Sequence, residues 1–312
     1  MILRANNVQK EQLWGVVAAQ AILLLILTML LLRACTTHSG NTIRSQTIQI
    51  QTEPSLGQDV LVSQAESRIA NNDVPGGIAL LDVTIQQGQP SARVFGARAA
   101  AYARIGDYAN AINDYQQATI LDPENGDYQF GLCHSRVYAG DYQNAITSCS
   151  SAIQLMPGHF MSWNNRCYVR AYHVGDYEGA ISDCTQAAAL DSVHPYPYNN
   201  RARAYLMTGE YQLAIDDATR SLLLGNGHEY LPLTNRGTAY LALGNGTEAL
   251  RDYQAAINDN PEFDEVYARL GELYRWQNQP TLARQAYCRY LEVTDVPLQV
   301  IIDRANEYGG CG

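Results

Sequence analysis

The chain has 312 residues, of which 46% are hydrophobic, and its 21 basic and 31 acidic residues give a net charge of −10. This hydrophobic content is sufficient for a substantial core. The acidic balance argues against a nucleic-acid partner, which requires clustered basic residues, and Lys10 is the only lysine in the sequence.

The N-terminal segment, residues 1–34, contains a nearly unbroken apolar run from Leu13 to Leu32. A helix of that length spans roughly 30 Å, the thickness of the hydrocarbon core of a bilayer. The run therefore predicts a transmembrane helix or a signal segment, and it exceeds the usual signal-peptide apolar region of roughly 7–15 residues. The polar residues 35–57 that follow predict a linker.

Three fates of this segment stay open from the sequence. It can remain as an uncleaved anchor, or it can be removed so that the protein is released. Leu32, Ala34 and Cys35 also resemble a bacterial lipoprotein box, although Arg33 departs from that pattern, and this resemblance implies lipidation at Cys35. All three fates leave the downstream residues outside the cytoplasm, in the periplasm or the extracellular space.

From residue 58 onward the sequence repeats about every 34 residues. The seven units are 58–91, 92–125, 126–159, 161–194, 195–228, 230–263 and 264–297, with single-residue insertions at about Phe160 and Glu229. One place in the unit is glycine or, in the two end units, asparagine: Asn72, Gly106, Gly140, Gly175, Gly209, Gly244 and Asn278. Five residues later comes a small residue: Gly77, Ala111, Ala145, Ala180, Ala214, Ala249 and Ala283.

The spacing of apolar residues within each unit predicts two short amphipathic helices. Glycine accepts the backbone conformation that ends the first helix, and the small residue lets the second helix approach closely. This pattern resembles the tetratricopeptide repeat family, whose unit is a 34-residue helix–turn–helix. The resemblance covers residues 58–297 and implies an all-α, right-handed superhelical solenoid. Residues 298–312 are predicted to form a C-terminal capping helix and tail.

Two further patterns predict links between the helices of a unit. Arg98, Arg166, Arg201 and Arg236 each precede an aspartate by sixteen or seventeen residues, and the other three units lack both partners. The paired aspartates are Asp114, Asp183, Asp217 and Asp252. We interpret these as ion pairs between helices, because an arginine that binds an external anion does not require the aspartate.

Cysteines provide the second pattern. Cys133 and Cys149 lie on the first and second helices of one unit, and Cys167 and Cys184 occupy the equivalent places in the next unit. Of the cysteines after Cys35, only Cys288 and Cys311 then remain, and they are left to pair with each other. We predict three disulfides, since facing helices that meet at small residues can supply the required Cα separation of roughly 4.4–6.8 Å. Free buried cysteines that pack as small hydrophobes are the alternative. Disulfides and an apolar N-terminus together indicate export.

No catalytic or metal-ligand spacing is evident, so we expect no enzymatic activity, no cofactor, no metal and no small-molecule substrate. The resemblance implies a concave groove, lined by the first helices, that binds a protein or peptide partner. An asparagine ladder there could hold a peptide backbone, solvate the groove or bond within its own helix. The candidate groove residues are Phe130, His134, Asn164, Asn165, Asn199, Asn200, Arg203, Thr234, Asn235 and Thr238.

The sequence therefore predicts an extracytoplasmic scaffold or adaptor that is tethered to a membrane through its N-terminal helix. The alternative is a permanent structural subunit of a membrane complex. An adaptor should purify alone in detergent, whereas a fixed subunit should co-purify at constant stoichiometry.

Overall fold

The computed structural model describes residues 57–88, 90–225 and 227–311, and these form fifteen helices and no strands. The predicted transmembrane helix, most of the linker and Cys35 lie outside the described residues. Among the helices that are described, none combines the length and the apolar character needed to cross a bilayer.

Seven helical hairpins follow one another along the chain. The first helices of the units are α1 (Gln58–Ala70), α3 (Ala92–Arg104), α5 (Gly126–Tyr138), α7 (Phe160–Val169), α9 (Pro195–Thr208), α11 (Tyr230–Ala242) and α13 (Asp264–Trp276). The second helices are α2 (Val74–Gln86), α4 (Tyr108–Leu121), α6 (Tyr142–Leu155), α8 (Tyr177–Leu190), α10 (Tyr211–Leu224), α12 (Gly246–Asp259) and α14 (Pro280–Val293). A last helix, α15 (Gln299–Glu307), packs Ile301 and Ala305 against the final hairpin.

The predicted turn and contact residues behave as the repeat requires. Every turn glycine of the inner units has a left-handed backbone, with φ between 76° and 83°, and Asn72 and Asn278 adopt φ of 68° and 56° at the ends. Asparagine tolerates this conformation better than other residues that carry a Cβ. The six alanines five residues later are fully buried, which confirms the close approach of the two helices.

The helices form two layers. Each first helix packs against the first helix of the next unit, whereas successive second helices make few direct contacts in the described part of the chain. Because the first helices lie closer together, the array curves with these helices on its concave side. The side chains of the odd-numbered helices α3 to α13 therefore line the groove.

One detail differs from the sequence prediction. We expected an inserted residue at about Phe160, but α7 begins at Phe160, in register with Gly126 at the start of α5. The extra residue is instead absorbed inside the helix, where Arg170–Val174 form a π-helical turn that continues α7. A π-turn accommodates one additional residue without breaking the helix. The insertion near Glu229 does fall between helices, ahead of α11.

Candidate partner-binding groove

The predicted ion pairs hold the two helices of a unit together. In each of the four units, the arginine Nε and Nη2 donate to the two carboxylate oxygens of the aspartate at 2.6–2.9 Å. Asp183 and Asp252 are each only 1% exposed. The predicted ion pairs are confirmed, and each of them is bidentate. Hydrogen bonds to Asp217 and Asp252 raise the pKa of Arg201 and Arg236, so both guanidinium groups are fully charged.

The same arginines also contact the preceding unit, which the sequence did not reveal. The remaining nitrogen, Nη1, of Arg98 donates to Asp82 at 2.7 Å, and that of Arg201 donates to Thr185 at 3.0 Å. Arg166 and Arg236 reach a serine and a threonine in the same way. Each arginine thus donates from all three of its nitrogens to contacts within the chain, which leaves fewer of its five donors for a ligand in the groove.

The third unit has Leu132 and Ser148 where its neighbours have the ion pair. Here Arg136, four residues after Leu132, donates to Ser148 Oγ and to the carbonyl oxygen of Asn144. In the structure, Cys133 and Cys149 are joined across the same two helices, with their Cα atoms 4.9 Å apart. The link between α5 and α6 therefore depends on different chemistry from that of the neighbouring units.

The other two predicted cysteine pairs are also joined in the structure. Cys167 and Cys184 connect α7 to α8 with a Cα separation of 5.5 Å, and Cys288 and Cys311 connect α14 to the C-terminal tail with a separation of 5.4 Å. All three separations lie within the range that a disulfide requires.

The asparagines of the groove bond to one another from unit to unit. Asn200 Nδ2 donates to Asn164 Oδ1 at 3.1 Å, and Asn235 Nδ2 donates to Asn199 Oδ1 at 3.0 Å. None of these four side chains is more than 5% exposed. The ladder therefore bonds chiefly between successive first helices, and it is buried, so it does not solvate the groove. One bond does lie within a helix, since Asn199 Nδ2 donates to Asn200 Oδ1 at 3.4 Å.

The π-turn of α7 adds Tyr172 to this network. Its hydroxyl accepts from Asn199 Nδ2 at 3.2 Å and from Asn235 Nδ2 at 3.4 Å. The Arg203 guanidinium lies over the Tyr172 ring, 5.3 Å from its centroid. Burial raises the pKa of Tyr172, so the hydroxyl remains protonated. The turn thus connects α7 to the next two first helices, α9 and α11, through polar contacts.

Arg203 belongs to a separate ionic cluster. It donates to Glu265 at 2.7 Å, and Arg269 donates to the same carboxylate oxygen at 2.8 Å. Burial alone would raise the pKa of Glu265, but the two guanidinium groups outweigh it and hold the pKa below its ordinary value. The cluster borders a cavity of about 470 Å³ between α9, α13 and the C-terminal helix α15.

A second cavity, of about 450 Å³, opens in the groove between units 126–159 and 230–263. His134, Asn164, Asn165, Asn199 and Asn200 line it, so the structure brings half of the predicted groove residues to one place. Ligand pockets commonly have volumes of about 300–1,000 Å³. Among the described residues that border this cavity, none is lysine, arginine, aspartate or glutamate.

The remaining predicted residues lie around this cavity or within the fold. Phe130 packs edge-on against His159, with 4.4 Å between ring centroids. The hydroxyls of Thr234 and Thr238 each donate to a carbonyl oxygen of their own helix at 2.7 Å. Burial lowers the pKa of His134, so its imidazole is neutral at pH 7.

Tyrosine is the component of the site that the sequence prediction missed. Five tyrosines border the cavity: Tyr138, Tyr142, Tyr168, Tyr196 and Tyr230. Desolvation raises the pKa of Tyr168 to about 12, so its hydroxyl is protonated at neutral pH. The 21 tyrosines of the chain were a compositional signal, but tyrosine is also a common repeat residue, and its count does not say which side chains meet.

Comparison with known proteins places the helical array in a class. Two repeat models match, one described as tetratricopeptide repeat at residues 92–125 and one described as TPR repeat at residues 237–277. Small glutamine-rich tetratricopeptide repeat-containing protein 2 of Mycosarcoma maydis is 27% identical over 99 residues, which cover 32% of this chain and 28% of that protein. The chain spans less than a third of the length of the curated relatives it matches.

Solved structures agree on the fold. The crystal structure of the APC/C hetero-tetramer Cut9–Hcn1 contains a chain with a TM-score of 0.64 and 18% identity, and the match covers 82% of this chain and 50% of that one. A tetratricopeptide repeat protein from Parabacteroides merdae has a TM-score of 0.62 and 12% identity, over 80% of this chain and 98% of its own.

The described helices thus form an all-α solenoid of tetratricopeptide repeats. Repeats of this class generally mediate protein–protein interactions.

Proposed function

We propose that the protein is a membrane-tethered scaffold or adaptor whose repeats lie outside the cytoplasm and bind a protein partner through the concave groove. The observation that carries this proposal is the cavity of about 450 Å³ in the groove, bordered by first helices of four successive units. A partner that enters there contacts several units at once. The proposal includes no catalytic step, no cofactor and no nucleic acid.

The location outside the cytoplasm is supported by two independent features. The apolar run from Leu13 to Leu32 has the length of a membrane-spanning helix. All six cysteines in the described part of the chain are arranged in pairs, whereas the cytosol keeps thiols reduced. An extracytoplasmic protein gains from such pairs because they restrict its unfolded chain.

The partner is tested by cross-linking and pull-down of the full chain from native membranes. Tyr168→Ala removes one of the five tyrosine rings that border the cavity and should abolish capture of the partner. Trp276→Ala is the control, because this side chain is an aromatic outside the cavity and is 59% exposed. Equal capture by both variants and the wild type would exclude the groove as the binding surface.

The compartment is tested separately by counting thiols in protein from its native host under denaturing, non-reducing conditions. Of the seven cysteines, only Cys35 should be free, and it should also be blocked if it carries a lipid. Six reactive thiols from the residues after Cys35 would contradict both the disulfides and the proposed location.

A fixed subunit of a membrane complex is the second candidate, and exposed apolar side chains favour it. They recur near the C-terminal ends of the second helices, at Ile120, Leu121, Leu155, Leu190 and Leu223, and two of them exceed 70% exposure. Co-purification at constant stoichiometry in detergent, unchanged by Tyr168→Ala, is the result expected for this alternative.

A further inference from the structure

The asparagine ladder stops at a defined residue. Two hydrogen bonds of the ladder follow one rule: the asparagine at the sixth position of a first helix donates to the asparagine at the fifth position of the preceding first helix. Asn200 donates to Asn164 in this way, and Asn235 donates to Asn199. Asn165 occupies the same sixth position of α7, and the fifth position of α5 is Phe130. Phenylalanine has no acceptor, so the next step of the ladder is absent.

Asn165 consequently has an unused donor inside the cavity. Its side chain borders the cavity and is 8% exposed, yet Nδ2 has no hydrogen-bond partner among the described residues. An unpaired buried amide donor costs roughly 1–3 kcal/mol, and native proteins rarely leave such groups unpaired. The position therefore suits an acceptor that is supplied from outside the chain.

The surroundings of Asn165 restrict the chemistry of that acceptor. Five tyrosines border the same cavity, and their hydroxyls make no hydrogen bond within the described part of the chain. One face of Tyr138 stacks on Tyr108 and one face of Tyr142 stacks on His173, so these two rings are covered on one side. A charged residue of a partner would find no opposite charge among the side chains that border the cavity. The site therefore offers aromatic side chains and hydrogen-bond donors, and its border includes two histidines but no lysine, arginine, aspartate or glutamate.

We propose that this cavity binds an extended, uncharged, proline-rich segment of the protein partner, with a backbone carbonyl that accepts from Asn165 Nδ2. Proline has no N–H, and a polyproline II segment leaves its carbonyls without internal hydrogen bonds. Its rings pack against aromatic side chains, and its stiffness lowers the entropic cost of binding. The inference rests on the proposed function, since it names the class of partner for the same groove.

Three fluorescent peptides of equal length test this inference against the full chain in detergent: a proline-rich peptide, a lysine-containing peptide and a glutamate-containing peptide. Fluorescence anisotropy should show saturable binding of the proline-rich peptide alone. Preferential binding of the lysine-containing peptide would overturn the proposal, because it would indicate that the tyrosine rings bind a cation instead. Preferential binding of the glutamate-containing peptide would overturn it as well.

Two variants locate the contact. Asn165→Leu keeps the approximate shape but removes the donor, and it should weaken the proline-rich peptide about tenfold. Tyr168→Ala should weaken it at least as much, whereas Trp276→Ala should leave it unchanged. Thermal unfolding of each variant checks that the array remains folded. Unchanged peptide affinity in Asn165→Leu would refute the assigned hydrogen bond.

The outcome is separable from that of the proposed function. If Tyr168→Ala abolishes capture of the native partner but no proline-rich peptide binds, the groove function stands and the partner class is wrong. If neither partner capture nor peptide binding depends on Tyr168, both proposals fail.

Discussion

Asp217 and Asp216 are adjacent acids on α10 with opposite environments, and they provide a test of the ion pairs. Asp217 is 8% exposed and accepts from Arg201 Nε at 2.7 Å and Nη2 at 2.9 Å. Asp216 is exposed and accepts only from Gln212 Nε2, at 3.0 Å, among the described residues. Replacement of each by alanine therefore removes the same charge from two different settings.

The expected loss for Asp217→Ala is about 3 kcal/mol of unfolding free energy, because truncation of one partner of a buried pair leaves the other charge uncompensated. This value is at the lower end of the usual range because Arg201 keeps its hydrogen bond to Thr185 and its side chain remains 16% exposed. Asp216→Ala should change stability by no more than about 0.5 kcal/mol.

Hydrogen exchange is the appropriate assay, because a repeat array can unfold locally and a single global transition then has no clear meaning. Asp217→Ala should accelerate exchange in α9 and α10 and leave α13 and α14 unchanged. A double variant, Arg201→Met with Asp217→Leu, should recover part of the loss, since neither charge is then buried alone. Equal exchange in the two alanine variants would refute the assigned role of the pair.

The features that the sequence predicted correctly are those that recur within one unit. Arg201 and Asp217 face each other across a hairpin whose geometry is fixed by a turn glycine and a buried alanine. The co-occurrence of the two residues in four units was therefore sufficient to assign the pair. Asn72 and Asn278 were assigned to the turn for the same reason, because their place in the repeat requires a left-handed backbone.

The register of the fourth unit could not be read from spacing alone. An extra residue lengthens the interval from Arg166 to Asp183 to seventeen residues, so it lies between them, but spacing alone does not say which backbone conformation absorbs it. The choice depends on packing, because the π-turn at Arg170–Val174 brings Tyr172 to the amides of Asn199 and Asn235. Those contacts join residues up to 63 positions apart and have no local signature.

The cavity in the groove could not be predicted from the sequence either, because it also depends on contacts between different units. Asn165 and Asn200 occupy the same place in their units, and periodicity predicts the same role for both. The structure separates them, because Asn200 has Asn164 as its neighbour and Asn165 has Phe130. Whether the asparagine Nδ2 finds an acceptor thus depends on the side chain that the preceding unit places beside it. That neighbour can be identified only when the stacking of the first helices is known.

Three further substitutions test other parts of the fold. Gly209→Ala should destabilise the protein by about 1 kcal/mol in urea unfolding, because the backbone there has φ of 83° and alanine disfavours the left-handed region. Tyr172→Phe should lower the melting temperature, since it leaves two buried amides without the hydroxyl acceptor, at a cost of about 1–2 kcal/mol. Glu265→Gln should lower stability at pH 7 and flatten its acid dependence. The reason is that Arg203 and Arg269 hold the pKa of Glu265 in the folded state below its ordinary value. The wild type therefore has its full extra stability above the unfolded-state pKa of about 4.3, and it loses this stability as the pH falls through the folded-state pKa. Denaturation curves between pH 3 and pH 7 should therefore converge for the two proteins at low pH, and a constant difference over this range would contradict the assignment.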